Sequence, residues 1–509
     1  MIYQQNRQLR DEPVNILLPT IVSLYPPLYF FCINISVIQD YFWPICTVLI
    51  SLTFGILFSL LLSMGIKENE KTVLVSSLWI FFVLTGFQLL DWFDSFGKLD
   101  FVRRRYQLII LTLFFAAATY FIIKTKKPLS GLILWLTRTF QILIFLCLIK
   151  LGLGVWGDFS GRSVLRNHDA DIHQVSKPVA DQKSPNIFYI VVDTYASANV
   201  LERDYSFSNE NFLSALKALG FYIADKSHSN YSYTGISMAS TLNMRYINDL
   251  LVKNTPNAPL FSSMFRNGRV QQYLMQRGYE YIERIFHLRY VSFHYFLEFM
   301  QNSVLSPLAG YIRSEFERWS VQRDLKTLPE IVLRSIKSKP SFVYIHMPGG
   351  HTPFNFTQKG GRVSLFRQLR GDAYRSDAKD LYVGQIEFYN QQILLLIKGI
   401  LAAHDKKPII IIQGDHGPDS LKGRDGEIVS KETVEERTSI LNAYYTPEPL
   451  NELYPNITPV NTFCVLFRHY FQSDCSLRPD KVYYSFDWKT ATPPEEVTSL
   501  LYGREEVGS

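Results

Sequence analysis

Pro408-Ile-Ile-Ile-Ile-Gln-Gly-Asp-His-Gly-Pro418 sets four isoleucines in a row, ends them at Gly414, and follows with an acid and an imidazole side by side. Four β-branched residues without alternation read as a strand buried on both faces. Such a strand implies a largely parallel sheet covered by helices, and its carboxyl end is where open α/β sheets collect their chemistry. A carboxylate and a neutral imidazole at that end suit Zn²⁺ or Mn²⁺. Taken alone, the pair reads equally well as a loop aspartate with an incidental histidine.

Upstream, apolar residues concentrate at the front of the 509-residue chain. Residues 13–39, 41–66, 72–90 and 106–123 carry no charge, and 131–157 carry only Arg138 and Lys150. Each stretch approaches the roughly 20 residues that cross a bilayer, which predicts about five spans within 1–157. Lys150 can snorkel, whereas Arg138 sits deeper and needs a partner or a local water defect. The first stretch is too long for a signal peptide and lacks a small-residue cleavage site. With the N-terminus inside, Arg7, Arg10, Lys67, Lys71, Lys124, Lys126 and Lys127 lie in inside loops, against Lys98, Arg103, Arg104 and Arg105 outside. That bias favours the N-inside orientation and puts everything after residue 157 outside the cytoplasm. The formal charge of +6, with no basic run interleaved with aromatics, argues against nucleic acid as a partner. Cys464 and Cys475 are free to pair if the soluble part is extracytoplasmic; two unpaired thiols is the alternative. No CxxC occurs, so a thiolate zinc site is not expected.

Residues 158–185 are polar and aperiodic and read as a linker. From 186 to 509 strands alternate with helices. Asn186-Ile-Phe-Tyr-Ile-Val-Val-Asp193 is a buried strand ending in an acid, 208–220 a helix capped by Ser208 or Asn209 and by Gly220, and 221–224 a short strand. Residues 255–335 read as a helical insertion, 341–346 as a strand and 378–404 as a long helix. The alternation predicts one α/β domain with a largely parallel sheet sandwiched by helices.

Asp193 and the Asp415-His416 pair end strands, and His346 and His351 sit in and just beyond another, so all can meet at one edge of the sheet. A metal bound by Asp193, Asp415 and His416 leaves a position open for a hydroxyl, which becomes a nucleophile more easily there. Residue type and spacing do not choose among Thr234, Ser237, Ser240 and Thr241. Asn230 and Asn243 read equally well as residues that orient backbone near the nucleophile and as turn or cap residues. Gln413 reads as structural, and His228 as solvent-exposed. Arg437 reads either as a phosphate ligand or as the partner of Glu435 or Glu436.

The blocks Asn230-Tyr-Ser-Tyr-Thr-Gly-Ile-Ser-Met-Ala-Ser-Thr-Leu-Asn243, His346-Met-Pro-Gly-Gly-His-Thr-Pro-Phe354 and Gly414-Asp-His-Gly-Pro418, following a strand that ends at Asp193, carry a resemblance. The chain resembles the alkaline phosphatase/sulfatase superfamily, and within it the membrane-bound branch that includes lipoteichoic acid synthases and lipid A phosphoethanolamine transferases. The resemblance implies Asp193, Asp415 and His416 as ligands of one divalent metal, Zn or Mn, with room for a second. It implies Thr234 as nucleophile and metal-facing hydroxyl, and His351 as the histidine at the substrate phosphate. His346 is matched more softly, as a substrate-side residue, a second metal's ligand or a core histidine. True sulfatases need a Cys or Ser in a Cys-x-Pro-x-Arg setting for formylglycine; the stretch Tyr233-Thr-Gly-Ile-Ser-Met-Ala239 has no Cys, Pro or Arg, so a phospho-threonine fits better.

The expected function is therefore a metal-dependent transferase. It would move phosphoglycerol or phosphoethanolamine from a phospholipid donor to an envelope glycan or lipid acceptor through a phospho-threonine. The expected setting is the bacterial cytoplasmic membrane. Alternatives are a phosphodiesterase or phosphatase using the same residues, and a non-catalytic envelope protein on this fold.

Overall fold

The computed structural model describes residues 16–35, 41–96, 104–161, 184–250, 264–265, 267–286, 291–336, 339–370, 372–420, 430–485 and 494–502. The expected linker at 158–185 falls largely outside them. The chain divides into two compact units, Met1–Asp171 with Tyr290–Arg313, and Ile172–Arg289 with Ser314–Ser509.

Among the described residues, the first unit contains five helices long and apolar enough to cross a membrane. They are α1 (Leu17–Asn34), α2 (Phe42–Gly65), α3 (Asn69–Phe96), α4 (Arg104–Lys124) and α5 (Ser130–Gly161). Small residues let them approach: a Cβ on Gly55 of α2 would sit 2.6 Å from Ser23 Cβ on α1. Arg138 finds its partner one turn on, where Nη1 donates to Gln141 Oε1 at 3.2 Å.

The insertion expected to be helical over 255–335 is not one helical element: Glu280–Ile285 within it is a strand that pairs in parallel with Ser341–Met347, and 290–313 belongs to this first unit. In the helix Val291–Gln301, Phe293 meets Trp43 edge to face with centroids 4.7 Å apart, and Tyr295 packs on Phe30 at 5.0 Å. The following turn is stitched to α3. The amides of Phe87 and Gln88 donate to Asn302 O at 3.1 and 3.2 Å, and Val304 N donates to Val83 O at 3.0 Å. Gly86 makes room, since a Cβ there would lie 2.6 Å from Val304 Cγ1.

The second unit is built on a six-stranded sheet of β1 (Ile187–Val192), β2 (Tyr222–Ile223), β3 (Glu280–Ile285), β4 (Ser341–Met347), β5 (Ile409–Gly414) and β6 (Asn442–Tyr445). The order is β2-β6-β5-β1-β4-β3, with β3, β4, β1 and β5 parallel and β6 antiparallel to both β5 and β2. Ile410 and Ile412 join Ile190, Val343 and the helix Lys379–Ala403 on one face. Ile409 and Ile411 join Tyr189, Tyr344 and the helices Thr234–Asn243 and Pro459–Phe471 on the other. Both faces are covered, which is why the isoleucine run does not alternate. Each fully buried isoleucine contributes about 2 kcal/mol.

The helix expected at 208–220 is Glu210–Ala218 with Asn209 at its N-cap. The Asn209 side chain makes no cap bond, because its amide donates to Tyr195 Oη and its carbonyl accepts from Asn390.

Cys464, buried in the helix Pro459–Phe471, is bonded to Cys475 with Cα atoms 5.6 Å apart, while Cys32, Cys46 and Cys147 are free. Denatured, unreduced protein should therefore show three alkylatable thiols by mass spectrometry, rising to five after reduction. A Cys464→Ser variant should be less stable to denaturant by about 2 kcal/mol, from the lost loop constraint.

Candidate active site

The site follows from strand register. Val192 stands opposite Gly414 across the β1–β5 pair and opposite Met347 across β1–β4. The next residue on β1 and the next on β5 are Asp193 and Asp415, so two carboxylates leave adjacent strands at one level. Asp193 N continues the ladder to Met347 O at 2.9 Å.

The turn after Asp193 is left-handed at Thr194 (φ 57°), an unusual conformation for a β-branched residue. It aims the Thr194 amide at Asp415 Oδ1 (2.9 Å) and the Thr194 hydroxyl at Asp193 Oδ1 (2.8 Å). The His416 amide also donates to Asp415 Oδ1, at 2.9 Å. Asp415 Oδ2 is buried and has no hydrogen-bond partner among the described residues. A buried carboxylate oxygen left this way is costly unless a cation or proton meets it.

His416 Nδ1 lies 2.8 Å from Gly417 O, so Nδ1–H donates and the Nε2 lone pair faces the carboxylates. Nε2 is 3.7 Å from Asp193 Oδ1 and 3.6 Å from Asp415 Oδ2. Ligand atoms of Asp193, Asp415 and His416 all lie within 4.8 Å of one another, a group that could hold a metal ion. Two carboxylates and one neutral imidazole, with an orphaned oxygen among them, fit a divalent cation.

Of the four hydroxyls left open by the sequence, the one on Thr234 lies against His416. Thr234 begins the helix Thr234–Asn243, and its Oγ1 lies 3.1 Å from His416 Nε2. The other three hydroxyls are buried and committed to backbone: Ser237 to Asp415 O, Ser240 to Arg245 O and Thr241 to Ser237 O. Thr234 is only partly buried and His351 is exposed, so the centre opens to solvent on their side. The loop carrying His351 is held close to β1: Gly350 N donates to Asp193 O at 2.8 Å. A Cβ on Gly349 (φ 49°) would lie 2.3 Å from that same oxygen.

His346 is buried in β4, its Nδ1 2.9 Å from Tyr344 Oη, and stands outside the three-residue ligand group. His228 is buried rather than exposed, with Nδ1 3.0 Å from Thr438 Oγ1; the helix Lys431–Thr438, which sequence spacing does not place, covers it. Asn230 accepts from Val460 N, Asn243 donates to Ala239 O, and Gln413 joins Tyr189, Asn442 and Thr462, all structural bonds. Sequence reasoning missed Thr194, whose role depends on a backbone conformation that its residue type does not advertise.

A protein-family model described as Sulfatase matches residues 185–463. The chain belongs to the sulfatase family. It is an enzyme of the sulfatase-like hydrolase/transferase kind, with membrane-spanning helices ahead of the family domain. No curated protein sequence matches it. Among solved structures it is similar to the C-terminal periplasmic domain of EcEptC from Escherichia coli (13% identity, 66% of this chain and 99% of that one, TM-score 0.41). It is also similar to the integral membrane lipooligosaccharide phosphoethanolamine transferase EptA from Neisseria meningitidis (14% identity, 84% and 88%, TM-score 0.36).

Burial and the Asp415 charge push the Asp193 carboxyl up to about 7. Burial also works to raise Asp415, but His416, His346, the Thr234 hydroxyl and the Thr194 amide outweigh it and hold that carboxyl below its ordinary value. Burial, aided by the Arg437 charge, brings His416 down to about 4, so its imidazole is neutral at physiological pH. Asp193 thus keeps in the fold a proton that the unfolded chain loses near pH 3.8. Its contribution makes the metal-free protein lose stability as pH rises from 3.8 to about 7, and no further above that. A cation must displace this proton. Calorimetry of Zn²⁺ binding in buffers of different ionisation enthalpy should show close to one proton released per ion at pH 6 and little at pH 8.

Proposed function

We propose that this protein transfers a phospho-head group, phosphoglycerol or phosphoethanolamine, from a membrane phospholipid to a hydroxyl of an envelope glycan or lipid, with Thr234 as nucleophile. The observation that carries this reading is the threonine hydroxyl at the mouth of the Asp193–Asp415–His416 group. The stretch around Thr234 lacks the Cys-x-Pro-x-Arg setting in which a Cys or Ser becomes formylglycine, which supports phosphoryl over sulfuryl transfer.

Asp193, Asp415 and His416 would hold one divalent ion, Zn or Mn by the donor set, with Thr234 Oγ1 facing it. When bound, that ion lowers the pKa of the threonine hydroxyl and offsets charge on the phosphoryl oxygens. Thr234 Oγ1 forms a bond to phosphorus as the bond from phosphorus to the lipid alcohol breaks. Diacylglycerol leaves with a proton, and the head-group phosphate stays on Thr234. The acceptor hydroxyl then attacks phosphorus, gives up its proton, and releases the threonine oxygen. His351 hydrogen-bonds the phosphoryl group or protonates the leaving alcohol. That role needs the imidazolium form, in which Nδ1–H faces Thr352 O and Nε2–H serves the phosphoryl group or the leaving alcohol.

Five spans, the excess of basic residues in the inside loops and the Cys464–Cys475 bond support a bacterial cytoplasmic membrane protein whose family domain lies outside the cytoplasm. Anchoring raises the effective concentration of a lipid donor at the site.

Incubation with head-group-labelled phosphatidylglycerol or phosphatidylethanolamine should add the head-group phosphate mass to the Thr234 peptide. Thr234→Ala should abolish the adduct and acceptor-dependent diacylglycerol release while leaving folding intact. Transfer surviving in Thr234→Ala would sink the assignment. Label released only as free head-group phosphate would replace the transferase with a phosphodiesterase.

A further inference from the structure

Arg437 pairs differently from either reading of the sequence. It lies at the end of the helix Lys431–Thr438 and is 8% exposed. Its Nε donates to Ser232 O at 2.7 Å and its Nη1 to Gly417 O at 3.0 Å. The guanidinium carbon lies 5.0 Å from the centre of the Tyr233 ring, and the Arg437 carbonyl accepts from Gly417 N at 2.7 Å. Gly417 is also closed against this helix, because a Cβ there would sit 2.0 Å from Glu436 O.

These contacts join two segments that are far apart in sequence. Ser232 and Tyr233 lead directly into Thr234. Gly417 follows His416, and its carbonyl is the same acceptor that sets the His416 tautomer. One planar group with divergent donors therefore fixes the approach to the nucleophile against the loop bearing the imidazole. A lysine carries the same charge but cannot hold both carbonyls in one plane.

We infer that Arg437 is a positioning residue: by bridging Ser232 O and Gly417 O it sets the separation between Thr234 Oγ1 and the ligand face of His416, without touching substrate. The inference rests on the reading of Thr234 as nucleophile, and misplacement by about 1 Å is enough to cost on the order of 10²-fold in rate.

The test uses the full-length protein in detergent, loaded with Co²⁺ as a spectroscopic probe, and compares wild type, Thr234→Ala, Arg437→Lys and Arg437→Gln. The visible Co²⁺ spectrum of Thr234→Ala should differ from wild type through the lost oxygen, and both Arg437 variants should shift toward it. Turnover of bis(p-nitrophenyl) phosphate should fall in kcat on the order of 10²-fold in both, with KM within about twofold. Co²⁺ affinity should stay within about tenfold of wild type in both variants.

A Thr234→Ala variant with wild-type spectrum and turnover would overturn the nucleophile reading itself. If Thr234→Ala shifts but Arg437→Lys keeps the wild-type spectrum and rate, the positioning role is wrong and charge alone suffices. A rise in KM at unchanged kcat would make Arg437 a substrate ligand instead. Loss of Co²⁺ binding together with the melting transition would make it a purely structural residue.

Discussion

Two carboxylates leave neighbouring parallel strands at the same level, and the rest of the site depends on that. The β1–β5 register makes Asp193 and Asp415 neighbours before any side chain is chosen. At that distance both cannot ionise freely in a buried setting, so a proton or a cation must stand between them. The surroundings divide the labour. Asp415 Oδ1 is satisfied by the amides of Thr194 and His416, and Oδ2 is left for the cation. Backbone donors thus orient one ligand, the left-handed turn at Thr194 supplies one of those donors, and the sheet supplies the spacing.

Much of this was legible in the chain. Runs such as Ile409–Ile412 announce doubly covered strands because burial on both faces removes alternation, and an acid directly after such a run falls at the sheet edge. The largely parallel sheet, the five apolar helices and the meeting of Asp193, Asp415 and His416 follow from patterns of that kind, whereas Thr234 was singled out by the resemblance alone. What was not legible depends on long-range packing. Four hydroxyls within eight residues are equivalent as letters; they separate only when helix Thr234–Asn243 is docked and three of them find carbonyls. His228 looked exposed because nothing near it in sequence is apolar, yet a helix some 200 residues later covers it. Arg437 was singled out, but its partners were not legible for the same reason, since the acceptors Ser232 O and Gly417 O are backbone atoms, which sequence does not label.

The segment 290–313 teaches the complementary lesson about aromatic runs. As sequence, the Tyr and Phe enrichment at 285–299 suggests a cap packing on the membrane or lipid, with ordinary core packing the stronger reading. In the structure they pack on α1 and α2, and the turn that follows exchanges backbone hydrogen bonds with α3 around Gly86. Polar backbone groups within an apolar helix bundle need partners, because lipid offers none. A second chain segment presenting a carbonyl and an amide at the right spacing meets that need, and a glycine is what allows it to come close enough.

The choice of threonine also has a physical logic. The first residue of a helix points its side chain past amides that have no intrahelical acceptor. An oxyanion forming at phosphorus next to Thr234 would meet those donors as well as the cation held by the strand-end carboxylates. On the proposed reading, the nucleophile and part of its electrostatic environment would be supplied by a single element. The same economy restricts what can vary. The helix is pinned to the loop after β5 through Ser237 Oγ on Asp415 O, so moving the helix moves Thr234 Oγ1 and disturbs Asp415 together. A site coupled this tightly tolerates change on its open side, where His351 lies, far better than on the side of Asp193, Asp415 and His416.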